Sequence, residues 1–229
     1  MTRFTARAAL LAGFIAPPVA AAPEEETLAH APRAGGPEAR AQAALAALER
    51  QQPHIRAVWR GGAPVLITGL ELPTDGVSAA ERAQHFVSTR GDLLGGVTLT
   101  LADVDQRRDR AVVRFAQTHL GLRVVDQSVV ISLDARGQVV RILNDSVPLI
   151  DVRPATIDGV AARRLAVLRV LGEGPLPANL EAEKVVFGQG AHGVEGFLVL
   201  VPRAPLDVVE VRIDAAAGEV IGVRETVLR

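Results

Sequence analysis

The sequence predicts an α+β protein of two tandem units, each a helix packed on an antiparallel four-stranded sheet, preceded by an N-terminal helix. Three observations carry this. Apolar residues make up 48% of the 229, enough to build a packed core and far from a disordered composition. Hydrophobic spacing switches along the chain, helical in three stretches and alternating in most of the others. Finally, Ile131-Ser132-Leu133-Asp134…Gly137-Gln138-Val139 resembles Val211-Arg212-Ile213-Asp214…Gly218-Glu219-Val220, and each closes a helix-then-four-strands run. Asp…Gly hairpins are common in themselves; the matching element order is what makes the pair read as an internal repeat.

Taken in order, residues 1–21 read as a signal peptide. Arg3 and Arg7 form a basic start, Ala8–Ala16 a short apolar run, Pro17-Pro18 a break, and Val19-Ala20-Ala21-Ala22 the small residues a signal peptidase needs. Cleavage is placed after Ala21, because cutting after Ala22 would leave Pro23 just past the bond. This predicts a secreted or periplasmic chain of about 208 residues. No later run approaches the roughly 20 apolar residues of a membrane span. Cysteine is absent, so neither disulfides nor a lipidated cysteine is available.

Residues 22–55 are expected to be a linker and the N-terminal helix. Ala22–Gly36 carries Glu24-Glu25-Glu26, prolines and Gly35-Gly36, a linker composition. A helix runs from Pro37 to Gln52 with Ala41, Ala44, Leu45 and Leu48 on one stripe, and Pro53 ends it. His54–Leu72 reads as a hairpin turning at Gly61-Gly62. Ser78 with Glu81 three residues on is a capping box, opening a helix whose inward face is Ala79, Ala83, Phe86 and Val87. Strands are expected at Val97–Val104, Ala111–His119, Leu122–Leu133 and Gln138–Leu143. A third helix spans Thr156–Leu171, with Ala161, Leu165, Leu168 and Leu171 as the better apolar stripe. Strands return at Lys184–Phe187, Gly196–Val201, Val208–Asp214 and Val220–Val227.

The stretch Val112–Pro148 carries a more specific signal. Val113-Arg114-Phe115, Gln117-Thr118, Gly121, Val124, Val129-Val130-Ile131, Asp134, Gly137 and Val139 follow the pattern of the fungalysin/thermolysin propeptide (FTP) domain. Residues 56–150 therefore resemble that module. Residues 151–229, closing on a strand, Asp214-Ala215, a Gly218-Glu219-Val220 turn and a last strand, resemble a PepSY domain. The resemblance implies two cystatin-like units in the order found in proregions of thermolysin-like secreted metalloproteases. Ala116 stands where that family has a first glutamine, and Val125-Asp126-Gln127 replaces its usual Phe-Gly-Gly.

A search for chemistry gives no candidate catalytic, cofactor-binding or metal site. There is no His-Glu-x-x-His, and His30, His54, His85, His119 and His192 include no pair at i, i+4 spacing. His192 and Glu195 read as parts of a polar hairpin rather than a metal loop. No serine lies in a Gly-x-Ser-x-Gly elbow. The carboxylate pairs Asp103/Asp105 and Glu181/Glu183 read as a solvated rim, and Asp105–Arg110 as a charged hairpin tip. Gly61-Gly62 and Gly95-Gly96 lack the context of a phosphate loop. A formal net charge of −1 and few aromatic residues argue against nucleic acid. Lys184 is the single lysine among 25 basic residues, which reflects coding composition.

The expected role is therefore non-enzymatic, with no cofactor. The family resemblance implies an intramolecular chaperone and inhibitor of a thermolysin-like zinc metalloprotease, acting in cis within a longer precursor or in trans as a monomer. It places the inhibitory segment at Val223–Arg229. The alternative is a secreted or periplasmic non-catalytic module that binds another cell-envelope partner by strand pairing.

Overall fold

The computed structural model of the chain describes residues 36–204 and 207–227. The signal peptide expected at 1–21, the linker up to Gly35, His30 and the last two residues of the expected inhibitory segment lie outside the described residues. Among the described residues the architecture is α+β, with three helices and one mixed sheet.

Helix α1 (Pro37–Gln51) starts on a proline in its first turn and buries Ala41, Leu45 and Leu48. Hairpin β1 (Arg56–Arg60) and β2 (Ala63–Leu72) follows. Helix α2 (Ala79–Thr89) opens on the expected capping box: Ser78 Oγ accepts from the Glu81 N–H, and Glu81 Oε2 accepts from the Ser78 N–H. Those backbone donors, with that of Val77, hold the Glu81 carboxyl below its ordinary pKa. A short 3₁₀ turn, Gly91–Leu94, buries Leu93 and Leu94. Four strands complete the first half, β3 (Thr98–Gln106), β4 (Arg110–His119), β5 (Leu122–Asp134) and β6 (Val139–Asn144). The second half comprises β7 (Asp151–Arg153), α3 (Gly159–Leu171), β8 (Ala182–Gln189), β9 (His192–Ala204), β10 (Asp207–Asp214) and β11 (Glu219–Val227).

The first layer is antiparallel in the order β1-β2-β6-β5-β4-β3, so the early hairpin enlarges the expected four strands to six. The second layer is the expected antiparallel four, β8-β9-β10-β11, with β7 added in parallel beside the start of β9. The sheets are not separate, as two independent units would require. Arg123–Val125 of β5 pair in parallel with Val185–Phe187 of β8, joining everything into one 11-stranded sheet.

A local irregularity makes this junction possible. Between Ala116 and Thr118 the β4–β5 register slips, and Asp126 takes φ +61. Left-handed backbone is tolerated by Asp better than by most side-chain-bearing residues. Beyond this kink Val129–Leu133 pair with β6.

Three apolar clusters result. The first lies under α1 and α2 and includes Leu45, Leu48, Phe86, Leu93, Phe115, Ile131 and Ile142. The second lies between α3 and β8–β11 and includes Ala162, Ala166, Val167, Phe197, Val199, Val211 and Ile213. The third, Val125 with Val185, Phe187, Val194 and Leu198, fills the junction. There the Phe187 ring lies over Gly196, where any Cβ would collide with that ring and with the Ile213 carbonyl oxygen.

Candidate functional site

The two Asp…Gly hairpins share one mechanism. Asp134 Oδ1 accepts from the N–H groups of Arg136 (2.9 Å) and Gln138 (2.8 Å), and Gly137 supplies φ +78. Asp214 Oδ1 accepts from Ala216 (2.8 Å) and Ala217 (2.9 Å), and Gly218 supplies φ +72. In each, a carboxylate replaces missing backbone acceptors and a left-handed glycine reverses the chain. Asp214 is also reached by Arg153 Nη2 of β7 at 3.1 Å.

Gln117, singled out by the family pattern, is buried at 2% exposure. Its carboxamide grips the strap leading into the second half: Nε2 donates to the Val147 carbonyl (2.8 Å), and Oε1 accepts from the Val147 N–H (3.0 Å). Both backbone groups of one residue are thereby satisfied by one side chain. This is a structural clamp. Its signal was present in sequence, because Gln117 shares the buried register of Ala111, Val113 and Phe115, and a polar residue there needs a partner.

Charges flank the β5–β8 junction. Arg123 forks onto Glu183, Nε to Oε1 at 2.8 Å and Nη2 to Oε2 at 2.7 Å. The hydrogen bond from Arg123 holds the Glu183 carboxyl below its ordinary range and raises the guanidinium in turn. Arg212 donates to the kink residue Asp126 and, through Nε, to Glu210 (2.8 Å). Lys184 Nζ meets Glu195 Oε2 at 2.8 Å, and Glu195 also accepts from the Ala155 N–H at 2.9 Å. The Lys184 hydrogen bond, then the backbone one, lowers the Glu195 pKa. Gln127 Oε1 and Asn144 Nδ2, both buried, have no hydrogen-bond partner among the described residues.

No group of His, Cys, Asp or Glu among the described residues is arranged to hold a metal ion. The histidines are scattered. His85 Nδ1 accepts from the Asp75 N–H (3.2 Å), His119 ends β4, and His192 opens β9 beside Gln189. Glu195 lies within β9 rather than in a turn with His192, and its partner is Lys184. Asp105 is bound by Arg107 at the exposed hairpin tip, and Asp103 is exposed on β3. No described helix is long and apolar enough to cross a membrane.

What remains are surfaces, and two stand out in the second layer. Strand β11 pairs only with β10 among the described residues; its Ile221 is 47% exposed and its Val223 46% exposed. The expected inhibitory segment begins in this strand, with Val223–Val227 paired to β10. The other surface is α3, where the expected inward stripe is corrected in part: Leu165 packs against the second cluster, but Leu168 and Leu171 do not. The helix packs through Ala162, Ala166 and Val167, while Leu168 (56% exposed) and Leu171 (46%) face solvent. The physical reason is that the three arginines of α3, Arg163, Arg164 and Arg169, fall on different sides of the helix, so spacing alone selects no face. Small residues let the helix sit close on Phe197 and Val199.

Comparison of the sequence with protein-family models and with curated proteins finds no match. Among solved structures the chain is similar to the Bacillus megaterium YpeB C-terminal domain, at 16% identity and a TM-score of 0.40, over 76% of each chain. A likeness of that size carries no argument about fold or function.

Proposed function

We propose that this chain is a non-catalytic protein-binding module, exported from the cytoplasm, that grips a partner enzyme through its second layer. The observation that carries the reading is the open edge of β11, a nine-residue strand with half-exposed apolar side chains and an unpaired row of backbone groups among the described residues. An extended segment of a partner adds to such an edge by main-chain hydrogen bonds, and alternate side chains supply selectivity. The two layers correspond in this reading to units at 56–150 and 151–229.

The finer form of the proposal is a propeptide-type chaperone and inhibitor of a thermolysin-like zinc metalloprotease. Its support is the sequence pattern from Val113 to Val139, with Gln117 as clamp and Asp126 as left-handed kink at two of the pattern's positions. Secreted proteases of that kind owe their durability to slow unfolding, so a preformed scaffold that holds them during folding has a physical use. In cis, high effective concentration strengthens inhibition; in trans, affinity alone supplies it.

The test is to refold a denatured thermolysin-type protease with and without the purified chain, and to follow casein hydrolysis by the native enzyme. A higher refolding yield and slower hydrolysis, both weakened by lysines at Ile221 and Val223, are expected. A chain inert in both assays removes the metalloprotease reading. Stable binding to a different envelope enzyme, equally sensitive to the β11 lysines, then leaves the broader one in place.

A further inference from the structure

The two layers meet through little besides the β5–β8 splice. Among the described residues those two strands make the one extensive contact between elements of different layers. Three residue pairs form it, Arg123–Val125 against Val185–Phe187, backed by the five side chains of the third cluster. Two ion pairs flank it, Arg123 with Glu183 and Arg212 with Asp126. Each group in this closure finds its complement in the same sequence, so a second copy of the chain carries the whole set.

The covalent link is as short as the splice. Residues 145–150 form the strap that joins β6 to β7. Its first part is fastened to the first layer: Gln117 holds Val147, and the Pro148 ring lies against Gly95. Its last part belongs to the second layer. Leu149 lies against Gly188 and Gly193, and the Ile150 N–H donates to the Ala191 carbonyl at 2.8 Å. The crossing therefore falls between Pro148 and Leu149. A connection this short favours exchange, because straightening it into a second molecule rebuilds every contact and releases the bend. Costs of closure within one chain also gather here. Asp126 is left-handed, and the unpartnered Gln127 Oε1 and Asn144 Nδ2 stand beside that kink and at the start of the strap. A positive φ and buried polar atoms without partners raise the energy of the arrangement that holds them.

We propose that two copies of the chain exchange their second layers, so that β8 of each pairs with β5 of the other through the contacts made here within one chain. Both ion pairs and the third cluster are kept. The edge of β11 lies at the far side of the second layer from β8, so exchange leaves it open. Exchange does not depend on the protein-binding reading above; where that reading holds, the dimer presents two β11 edges and grips its partner bivalently.

Because the chain has no cysteine, the exchange can be read by engineered disulfides. Val124 and Val186 are register partners, buried at 1% and 0% exposure. Neighbouring strands lie about 4.8 Å apart, within disulfide reach. Single variants Val124→Cys and Val186→Cys, one of them carrying a mass tag, are mixed at high concentration in urea just below their midpoints, returned to buffer and oxidised. The disulfide between the two variants should appear in the dimer fraction about tenfold over either variant bonded to itself. The double variant, oxidised beforehand as a monomer, should form no dimer. Urea midpoints close to the parent's show that the fold is intact; if either falls, Arg123→Cys with Val185→Cys, the adjacent register pair, takes its place. A chain that stays monomeric in sedimentation throughout overturns the proposal. So does a dimer in which the mixed disulfide is no commoner than the self-bonded ones, or one that the oxidised double variant still forms, since either docks by another surface.

Discussion

Helix α2 sets Phe86 into the first sheet, whereas α3 meets the second sheet through Ala162, Ala166 and Val167 and leaves Leu168 and Leu171 in water. The plan is the same in both layers, a capped helix laid on an antiparallel sheet. The first layer is finished: α1 and the 3₁₀ turn add Leu45, Leu48, Leu93 and Leu94 to one core. The second relies on one helix, and that helix leaves Val160, Leu168 and Leu171 outside. Equal topology therefore does not mean equal purpose. A layer that has buried its apolar surface provides stability, while one that withholds it has surface left for another molecule.

The sharpest way to break this contrast is to truncate the largest ring on α2. Phe86→Ala should cost about 3–5 kcal/mol in urea unfolding, because the residue is 1% exposed and walled by strands that cannot close over the gap. A loss below about 1 kcal/mol would mean that the first layer is as open as the second. Next comes the clamp. Gln117→Ala strands the Val147 N–H and carbonyl and should cost about 1–3 kcal/mol, while Gln117→Glu keeps the acceptor and loses the donor.

Acid should act at the β5–β8 junction, through Glu183, and within the second layer, through Glu195. Glu183 and Glu195 are held below their ordinary pKa in the folded state, chiefly by hydrogen bonds from Arg123 and Lys184. The unfolded chain then binds more protons than the folded one just below the ordinary carboxylate value, so stability rises with pH there. Their contribution is complete above that value and disappears as pH falls through the lowered ones. Urea midpoints from about pH 6 to about pH 3 should decline, and the decline should flatten in Glu183→Gln with Glu195→Gln. Smallest of all is Leu168→Ser, expected within about 0.5 kcal/mol of the parent. A large loss there would show that α3 is already buried in the isolated chain.

Much of this was legible wherever the chemistry is local. The capping box at Ser78, the stripe of α1 and the turns at Gly137 and Gly218 depend on neighbours a few residues away, and all appear as expected. Long-range pairing was not legible. Strand β5 alternates smoothly through Val124 and Val125, and nothing local says that those residues meet β8 some 60 positions on. Leu93 and Leu94 were passed over because a four-residue turn is too short for any period to show. The exposed face of α3 is not legible because its arginines are spread around the helix and leave no spacing contrast, and size favours the leucines that point outward.

Strand β5 belongs to both layers, bonded along one stretch to β8 and along another to β6, with Asp126 at the bend between them. A strand shared in this way works as an axle. Torque delivered to β8 by a load on the second layer enters the first through the backbone of β5, without needing any side chain to relay it. Pulling such a molecule from its two ends should shear the three-residue parallel splice at Arg123–Val125 before either core yields, making that splice its mechanical fuse.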